Sequence, residues 1–397
     1  MKHWTTYLLR HKGKYTKLEF PTAPTADIIV VIPCYNEPNL MHTLQSLKSC
    51  TQPNANVFVA VVINSGEETN KNILAQNRLT FEEVERFADI NNNPHLVFHP
   101  ILCENLPKKH AGVGLARKIG MDLGIHHFYC TSNNHGIIVS LDADCEVSEN
   151  FLVSIHNEFF KSSKLNATIH NFHHRVNEER ELELENKTNR NRNLENAIRQ
   201  YETYMYYFKH NLKNIGFPFY YHTIGSAFAV SANAYVRVGG MGRQQGGEDF
   251  YFLQKIFEMG GVKELNNTYV YPLARFSDRV PFGTGPALEK ILNEPDGIMK
   301  VYSKQSFYEL KKFFDMKDGI FKKNESEIAL LFDKLHPALN NFLTESDFIE
   351  NINDCNDNCA NLKSFVKRFF HHFNTFKIIK YLNSVHPSPF PYENLQF

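Results

Sequence analysis

The chain has 397 residues, of which 42% are hydrophobic and 22% charged, a composition typical of a folded globular protein. This length exceeds that of one ordinary hydrophobic core and predicts one large domain with a second, appended one. Lys plus Arg and Asp plus Glu both number 43, so no overall charge draws the chain to nucleic acid.

The cysteines and the apolar segments indicate the cellular compartment in which the protein is expected. Seven cysteines are scattered along the chain, and their odd number predicts free thiols in a reducing compartment. Cys355 and Cys359 lie four residues apart without a second pair, which argues against a zinc site. The polar, basic segment from Met1 to Phe20 does not resemble a secretory signal, and no stretch is apolar enough to span a bilayer. We expect a cytoplasmic protein, either soluble or peripheral at the inner face of the membrane.

Short apolar runs alternate with helical patterns in the first 160 residues. Strands are predicted at Asp27 to Pro33, Asn56 to Ile63, His95 to Leu102 and Gly136 to Leu141. Helices are predicted at Leu40 to Ser49, Ala111 to Gly124 and Ser148 to Phe160, with Ser148 as the cap of the last. Strands that are apolar on both faces, alternating with helices, indicate a parallel sheet covered by helices.

Polar segments follow three of these strands. They are Cys34 to Glu37, Asn64 to Gly66 and Asp142 to Asp144. Because open sheets of this kind bind ligands at the carboxyl ends of their strands, we expect these segments to converge on one site.

The second half of the chain has a different pattern. Asn177 to Lys213 is highly charged and predicts a long surface helix, and Glu248 to Met259 predicts another helix. Gly216 to Gly247 predicts a loop with one short strand and one short helix. Arg275 to Gly285 predicts a loop too long to be idle in a compact domain. From Ala287 onward the pattern is helical and rich in Phe.

Asp142 and Asp144 flank one residue directly after a predicted buried strand. Hard oxygen ligands in this position suit Mg²⁺ or Mn²⁺ bridging a diphosphate. The alternative is a solvated turn in which Asp144 caps the next helix.

Two further groups of residues have both a chemical and a structural interpretation. Glu248 and Asp249 open a predicted helix, where a carboxylate could act as general base or could simply interact with the helix dipole. Arg117 could bind a phosphate or hold a catalytic carboxylate, or it could belong to a solvated helix face.

Histidines and arginines supply weaker candidates. His170, His173 and His174 could bind a transition metal, although adjacent strand residues point to opposite faces. Arg275 and Arg279 could fold over a diphosphate as part of a lid, or form an ordinary surface loop. Tyr221 and His222 suit two interpretations equally, stacking on an acceptor sugar and packing in the core.

Four motifs in order resemble those of family 2 glycosyltransferases with the GT-A fold, over about residues 27 to 285. VIPCYNE (Val31 to Glu37) resembles the opening nucleotide-binding strand and loop. Ala111 to Gly120 resembles the helix that usually has the pattern G-x-x-x-A-R-N-x-G. LDAD (Leu141 to Asp144) resembles the metal-binding motif. Gly247-Glu248-Asp249 resembles the acceptor-side motif, and Gly239-Gly240-Met241 lies where the family has a turn.

The resemblance implies an inverting transfer from a nucleotide sugar, with roles for particular residues. The base and ribose pocket would be lined by Pro33, Tyr35, Asn36 and Glu37. Asp142 would contact the ribose or the metal, Asp144 would bind Mn²⁺ or Mg²⁺, and Arg117 would lie beneath the nucleotide. Asp249 would be the catalytic base, with Glu248 beside it.

The sequence departs from the family pattern in two places. Asn64-Ser65-Gly66 stands where a carboxylate pair is usual, and Lys118 stands where Asn is common. A third metal ligand is not evident, and His222 and Asp278 are the candidates. A catalytically inactive binding or scaffold protein, a sugar nucleotidyltransferase and a retaining transferase are the rival interpretations. A glycan, a lipid-linked molecule or a small molecule could be the acceptor.

The resulting domain prediction has three parts: an N-terminal segment (1–26), a GT-A domain (27–290) and a helical C-terminal region (291–397). Phe residues recur at helical spacing between Lys363 and Leu382, interleaved with basic residues. We interpret this pattern as a helix packed on the catalytic domain, with peripheral contact to anionic lipid as the alternative.

Overall fold

The structure is a computed structural model that describes residues 2–11, 25–176, 185–275 and 283–396. The chain divides into two compact units. The first, called here the sheet unit, comprises residues 1–191 and 223–286, and the second, the helical unit, comprises residues 192–222 and 287–397. The predicted GT-A domain had included residues 192–222, which the structure groups with the C-terminal helices.

The sheet unit contains one eight-stranded sheet with the order β3-β2-β1-β4-β7-β6-β8-β5. The strands are β1 (Ile28–Cys34), β2 (Val57–Gly66), β3 (Leu96–Leu106), β4 (Ile137–Ser140), β5 (Cys145–Val147), β6 (Ala167–Phe172), β7 (Phe228–Ser231) and β8 (Val262–Pro272). Strands β1 to β4 are mutually parallel, whereas β7 runs antiparallel to both of its neighbours. Strand β6 is parallel to β8, and β5 is antiparallel to β8.

Helices cover both faces of this sheet. They are α1 (Lys2–His11), α2 (Leu40–Lys48), α3 (Lys71–Asn91), α4 (Val113–Cys130), α5 (Phe151–Lys161), α7 (Ala232–Arg237) and α8 (Glu248–Met259). Ile28, Val30 and Ile32 of β1 pack in a core cluster with residues of α2, α3 and α5. On the other face, Gly120 of α4 lies so close that a Cβ there would be 2.4 Å from the Val31 side chain. The predicted α/β class, an open, mostly parallel sheet flanked by helices with a helical C-terminal extension, is confirmed.

Helix α1 lies within the predicted N-terminal segment and is anchored by a buried carboxylate. Asp122 Oδ1 accepts hydrogen bonds from the Tyr7 hydroxyl at 2.6 Å and the Tyr235 hydroxyl at 2.8 Å. Lys118 Nζ lies 2.9 Å from Asp122 Oδ2. The lysine that departs from the family pattern therefore pairs with a carboxylate one helical turn away, at the point where α1, α4 and α7 meet.

Some sequence predictions fail locally. Helix α5 begins at Phe151, and the Ser148 hydroxyl does not cap it but bonds Asn150 Oδ1 at 2.7 Å and accepts from the Tyr269 backbone N–H at 3.0 Å. Helix α3 and strands β5, β6 and β8 were not predicted. Strand β8 (VKELNNTYVYP) is too polar to show the apolar run of a buried strand.

The helical unit is built around phenylalanines. Its helices are the C-terminal part of α6 (Glu185–Asn214), α9 (Thr284–Asn293), α10 (Lys304–Asp315), α11 (Lys317–Ile320), α12 (Glu325–Phe332), α13 (Pro337–Glu345), α14 (Phe348–Asn358), α15 (Leu362–His372) and α16 (Thr375–Ser384). The strands β9 (Lys300–Val301) and β10 (Glu393–Asn394) form a separate pair. Phe365, Phe369, Phe370 and Phe373 are at most 3% exposed, so the aromatic stripe is buried as predicted. Their core cluster is made of residues of the helical unit itself, whereas the prediction had the stripe packed on the catalytic domain. None of the helices in the described part of the chain is long and apolar enough to cross a membrane.

Candidate functional site

A cavity of about 730 Å³ opens in the sheet unit at the carboxyl ends of β1, β2 and β4. Seven of the predicted site residues line this cavity: Pro33, Tyr35, Glu37, Asn64, Asp142, Asp144 and Arg275. The parallel register places the ends of β1 and β2 side by side, with Cys34 opposite Ile63. The predicted convergence of the three polar segments is therefore present in the structure.

Three carboxylates of the cavity lining, Glu37, Asp142 and Asp144, are paired with arginines. One nitrogen of Arg275, Nη2, lies 2.6 Å from Glu37 Oε2 and 2.7 Å from Asp144 Oδ2. Arg117 Nη2 lies 2.5 Å from Asp142 Oδ1. Burial raises the pKa of Asp144 to about 6, opposed by Arg275 and reinforced by the charges of Asp142 and Glu37. The three neighbouring carboxylates repel one another, so positive charge is needed to hold them ionised in this position.

The same carboxylates fit the divalent metal that the family resemblance implies. Carboxylate oxygens are the ligands that Mg²⁺ and Mn²⁺ prefer. Glu37 and Asp144 each direct one oxygen to a common point, which shows that a cation can contact both. Asp142, whose side chain is 36% exposed, lines the same cavity.

Arg117 lies at the centre of a second cluster. Its side chain is only 2% exposed and contacts the carboxylates of Asp142 and Glu248. Burial opposes its charge, but the fields of Asp142, Glu248 and Asp249 outweigh this effect and raise the pKa of Arg117. The interpretation as a solvated helix face is therefore wrong, because Arg117 is a buried counter-ion shared by three carboxylates.

Glu248 and Asp249 occupy the first turn of α8. Burial raises the pKa of Glu248 to about 7 against the opposing charge of Arg117, and Asp249 raises it further. Burial also raises the pKa of Asp249, again opposed by Arg117. Glu248 is 2% exposed, whereas Asp249 is partly exposed. Neither residue lines the cavity. Both interact with Arg117, which also contacts the cavity-lining Asp142.

Two glycines allow this close packing. A Cβ at Gly225 would lie 2.8 Å from Arg117 Nη2 and 2.9 Å from Asp249 Oδ2. A Cβ at Gly114, in the first turn of α4, would lie 2.1 Å from the Gln244 carbonyl oxygen. Side chains at these positions would therefore force the arginine and the two carboxylates apart.

The structure adds a residue that the sequence did not reveal. Asn77 of α3 is 1% exposed; its Nδ2 donates to the Asn64 carbonyl at 3.0 Å, and its Oδ1 accepts from the Asn36 N–H at 2.9 Å. The predicted donor-binding residue Asn36 does not line the cavity, but its backbone is held by this amide. A lone polar residue within an amphipathic helix gives no signal of such a contact.

A second unpredicted residue is Gln245, which lines the cavity beside Ala111 and Lys108. Its Nε2 donates to the Lys108 carbonyl at 3.0 Å and the Ala111 carbonyl at 3.3 Å. Gln245 thereby joins the loop before α8 to the loop before α4.

The predicted acceptor residues lie in the helical unit, whereas Arg275 lies in the sheet unit. Tyr221 and His222 belong to the helical unit, where the Tyr221 ring stacks on Tyr220 and the His222 ring meets Tyr206 edge-on at 5.1 Å. Burial, together with the charge of Lys209, lowers the pKa of His222 to about 3. Arg279 and Asp278 lie outside the described residues.

The histidine group does not form a metal site in the described part of the chain. His170 is 1% exposed, its ring meets Phe151 edge-on at 5.1 Å, and burial lowers its pKa to about 3. Within residues 2–11, 25–176, 185–275 and 283–396, the one group of three metal-ligating side chains within reach of one another is Asp354, Cys355 and His372. Asp354 already accepts two hydrogen bonds from Arg368 there, at 2.7 and 3.0 Å.

No protein-family model matches the chain, and no curated protein matches it significantly. Among solved structures, the chain is similar to residues 1–349 of S. aureus TarS in complex with UDP-GlcNAc, at 11% identity and a TM-score of 0.41, covering 87% of this chain and 89% of that one. The UDP complex of the same TarS segment gives 12% identity and a TM-score of 0.39, with 90% of each chain covered. At these scores the likeness by itself says nothing about substrate or mechanism.

Proposed function

We propose that the chain is a metal-dependent, inverting glycosyltransferase that moves a sugar from a nucleoside diphosphate sugar to an acceptor hydroxyl. One observation carries the proposal: Glu37, Asp142 and Asp144 converge, with Arg275, on one cavity at the carboxyl ends of parallel strands. Such an edge is where open α/β sheets bind nucleotides, and this set of charges suits a diphosphate with a divalent cation.

The proposed donor contacts follow from the position of each residue. Pro33, Tyr35 and Asn64 lie at the ends of β1 and β2, where a nucleoside would bind. Asp142 and Asp144 would hold Mn²⁺ or Mg²⁺, and the ion would neutralise charge on the departing diphosphate. Arg117 is the fixed positive charge behind Asp142, and it orients that carboxylate toward the cavity.

The proposed chemistry uses Asp249 as general base. Its carboxylate removes the proton from the acceptor hydroxyl, whose oxygen attacks the anomeric carbon as the bond to the diphosphate oxygen breaks. A single displacement inverts the configuration and needs no covalent enzyme intermediate. Glu248 is bound directly to Arg117 and is less exposed than Asp249, so we assign it a positioning role.

The wider assignments rest on the sequence patterns and on the family resemblance. Membership of family 2, a role in cell-surface glycan synthesis and a cytoplasmic location with peripheral membrane contact belong to this proposal. The acceptor would be a glycan, a lipid-linked molecule or a small molecule. The inactive binding protein has one observation in its favour: the cavity lining has the neutral side chain of Asn64 where the family pattern has a carboxylate.

The test is a thermal-shift panel of UDP-, GDP-, dTDP- and CMP-sugars with and without Mn²⁺. A ligand that binds only the folded state raises the melting temperature, so a donor is expected to stabilise the protein in a Mn²⁺-dependent manner. Asp144→Ala should abolish this stabilisation, whereas Asp89→Ala, an exposed carboxylate on α3, should preserve it. The absence of a shift with every nucleotide sugar would contradict the proposed function.

A further inference from the structure

Arg275 contacts two carboxylates at the position where a metal would be expected. The single nitrogen Nη2 lies 2.6 Å from Glu37 Oε2 and 2.7 Å from Asp144 Oδ2. A divalent ion that took both of these oxygens as ligands would need the space that this guanidinium nitrogen fills. The guanidinium and the ion therefore cannot both occupy this point.

The other oxygens of these two carboxylates have different partners. Glu37 Oε1 accepts from Asn39, through its backbone N–H at 3.2 Å and its Nδ2 at 3.1 Å. Asp144 Oδ1 accepts from the Cys145 thiol at 3.6 Å. Arg275 thus contacts the remaining oxygen of each carboxylate, and an ion shared by Glu37 and Asp144 would need the same two oxygens.

The two arginines of the site differ in their freedom to move. Arg117 is 2% exposed and does not line the cavity, so its charge is fixed in the protein. Arg275 is 30% exposed and lines the cavity, so it can leave the carboxylates without unfolding its surroundings. A diphosphate in the cavity would offer it several anionic oxygens in a geometry that suits a guanidinium.

We propose that Arg275 is a resident counter-cation that holds the metal position of the donor site until a nucleoside diphosphate draws it away. The inference rests on the proposed function, which assigns Asp144 to the metal, and it adds Glu37 as a further ligand. Without nucleotide, Mn²⁺ must displace Arg275 and binds weakly. With nucleotide, the guanidinium moves to the phosphates and the two oxygens become available, so metal and nucleotide bind cooperatively. Thermodynamic reciprocity requires that Mn²⁺ strengthen nucleotide binding by the same factor.

The first test measures Mn²⁺ alone, without nucleotide, by the electron paramagnetic resonance signal of the free ion. The measurement is made at about pH 8, because the raised pKa of Asp144, about 6, would otherwise let protons compete. Arg275→Gln is expected to bind Mn²⁺ about tenfold more tightly than the wild type, within the range typical of coupled sites. Arg275→Lys keeps the charge and should remain near the wild type, as should Arg78→Gln, an exposed arginine that does not line the cavity.

A second test uses the wild-type chain and so does not depend on how the variants fold. Phenylglyoxal modifies accessible arginines, and mass spectrometry of the peptides quantifies each site. Saturating Mn²⁺ should increase the labelling of Arg275 and leave that of Arg78 unchanged.

The outcomes separate this inference from the proposed function. Three results would each overturn the proposed role of Arg275 as a counter-cation. They are equal or weaker Mn²⁺ binding by Arg275→Gln, no Mn²⁺ binding by any variant, and unchanged labelling of Arg275. If one of these results is obtained but nucleotide sugars still stabilise the protein, the transferase proposal is kept and the role of Arg275 is rejected. If Arg275→Gln binds Mn²⁺ more tightly but no nucleotide sugar binds, the cation exchange stands and the donor assignment fails.

Discussion

Arg117 carries the positive charge around which the proposed catalytic carboxylates gather. It is almost fully buried, and it contacts Asp142 and Glu248 while its charge is felt by Asp249. Removing one partner from a buried ion pair is costly because the remaining charge stays buried without compensation. In this cluster a single substitution leaves three carboxylates without their shared cation.

Arg117→Gln is expected to destabilise the chain by about 3 to 5 kcal/mol. The loss should grow with pH. Burial would hold the pKa values of Glu248 and Asp249 above those of the unfolded chain, and such a carboxyl opposes folding once the pH exceeds its unfolded pKa. The difference in melting temperature from the wild type should therefore be larger at about pH 8 than at about pH 5. Arg78→Gln, at an exposed ion pair, is the control, and a pH-independent difference would contradict the argument.

Asp249→Asn tests the proposed base. The amide keeps the size of the side chain but cannot take a proton, so transfer should fall by about 10² to 10⁴-fold while stabilisation by the donor persists. In the wild type, burial raises the pKa of Asp249. The rate should therefore increase with pH, and the midpoint of this increase should lie above the pKa of an ordinary Asp. Initial rates across a pH series measure both effects. Full activity in the Asn variant would remove Asp249 from the chemistry.

At the residue scale, the sequence located side chains more readily than it located their partners. Asp142, Asp144 and Glu37 could be placed because each follows a buried apolar strand, and the strand ends share one edge of the sheet. The contact of Arg275 with Glu37 joins residues 238 positions apart, and no local pattern encodes it. The pairing of Arg117 with Glu248 is likewise a product of tertiary packing.

Between elements, Asn77 joins the loop after β1 to the end of β2 through one side-chain amide. Asn77→Ala would leave two buried backbone groups without this partner, at a cost of about 1 to 3 kcal/mol. Because those loops frame the proposed nucleoside pocket, KM for the donor should rise more than kcat falls. Asn72→Ala, on the exposed face of α3, is the matched control. Unchanged KM and stability would show that the two loops hold their positions without Asn77.

Helix α1 is attached to α4 and α7 through Asp122. Tyr7→Phe removes the hydroxyl that donates to this carboxylate, and we expect a loss of about 2 kcal/mol. The single tryptophan, Trp4, is buried in α1 and reports this region by its fluorescence in urea. Tyr235→Phe removes the second donor to the same oxygen. Because the two donors are coupled, the loss of stability in the double variant should differ from the sum of the two single losses. Strictly additive losses would contradict the coupling.

Strands with an apolar run were predicted well and polar strands were missed, although the long amphipathic helix α3 was missed as well. Strands β1, β2 and β4 and helix α8 appear within three residues of their expected bounds because their burial pattern is visible in the sequence. Strands β6 and β8 carry polar residues such as His170 and Asn267, whose environment is set by neighbouring strands. Ser148 resembled a helix cap, but its hydroxyl bonds the Tyr269 backbone instead.

For the whole molecule, the sequence distinguished the sheet from the C-terminal helices, but the bounds of the two compact units differ from the predicted domains. Residues 192–222 group with residues 287–397, whereas the predicted GT-A domain of residues 27–290 included them. Leu212, Ile215 and Phe217 belong to the same core cluster as the phenylalanines of α10 and α15. An amphipathic helix shows which of its faces is buried, but its sequence does not identify the element against which that face packs.

The phenylalanine cluster should determine the stability of the helical unit. Phe369 of α15 is fully buried, and its ring meets Phe348 edge-on at 5.6 Å and lies 5.4 Å from Phe313. Phe369→Ala should cost about 3 to 5 kcal/mol, through lost burial and the cavity left behind. Lys367→Ala, an exposed residue of the same helix, is the control and should leave the urea midpoint of the helical circular dichroism signal unchanged. Equal midpoints for both variants would indicate that the aromatic stripe is not a tightly packed core, and the alternative role of this region as a lipid-binding surface would then gain support.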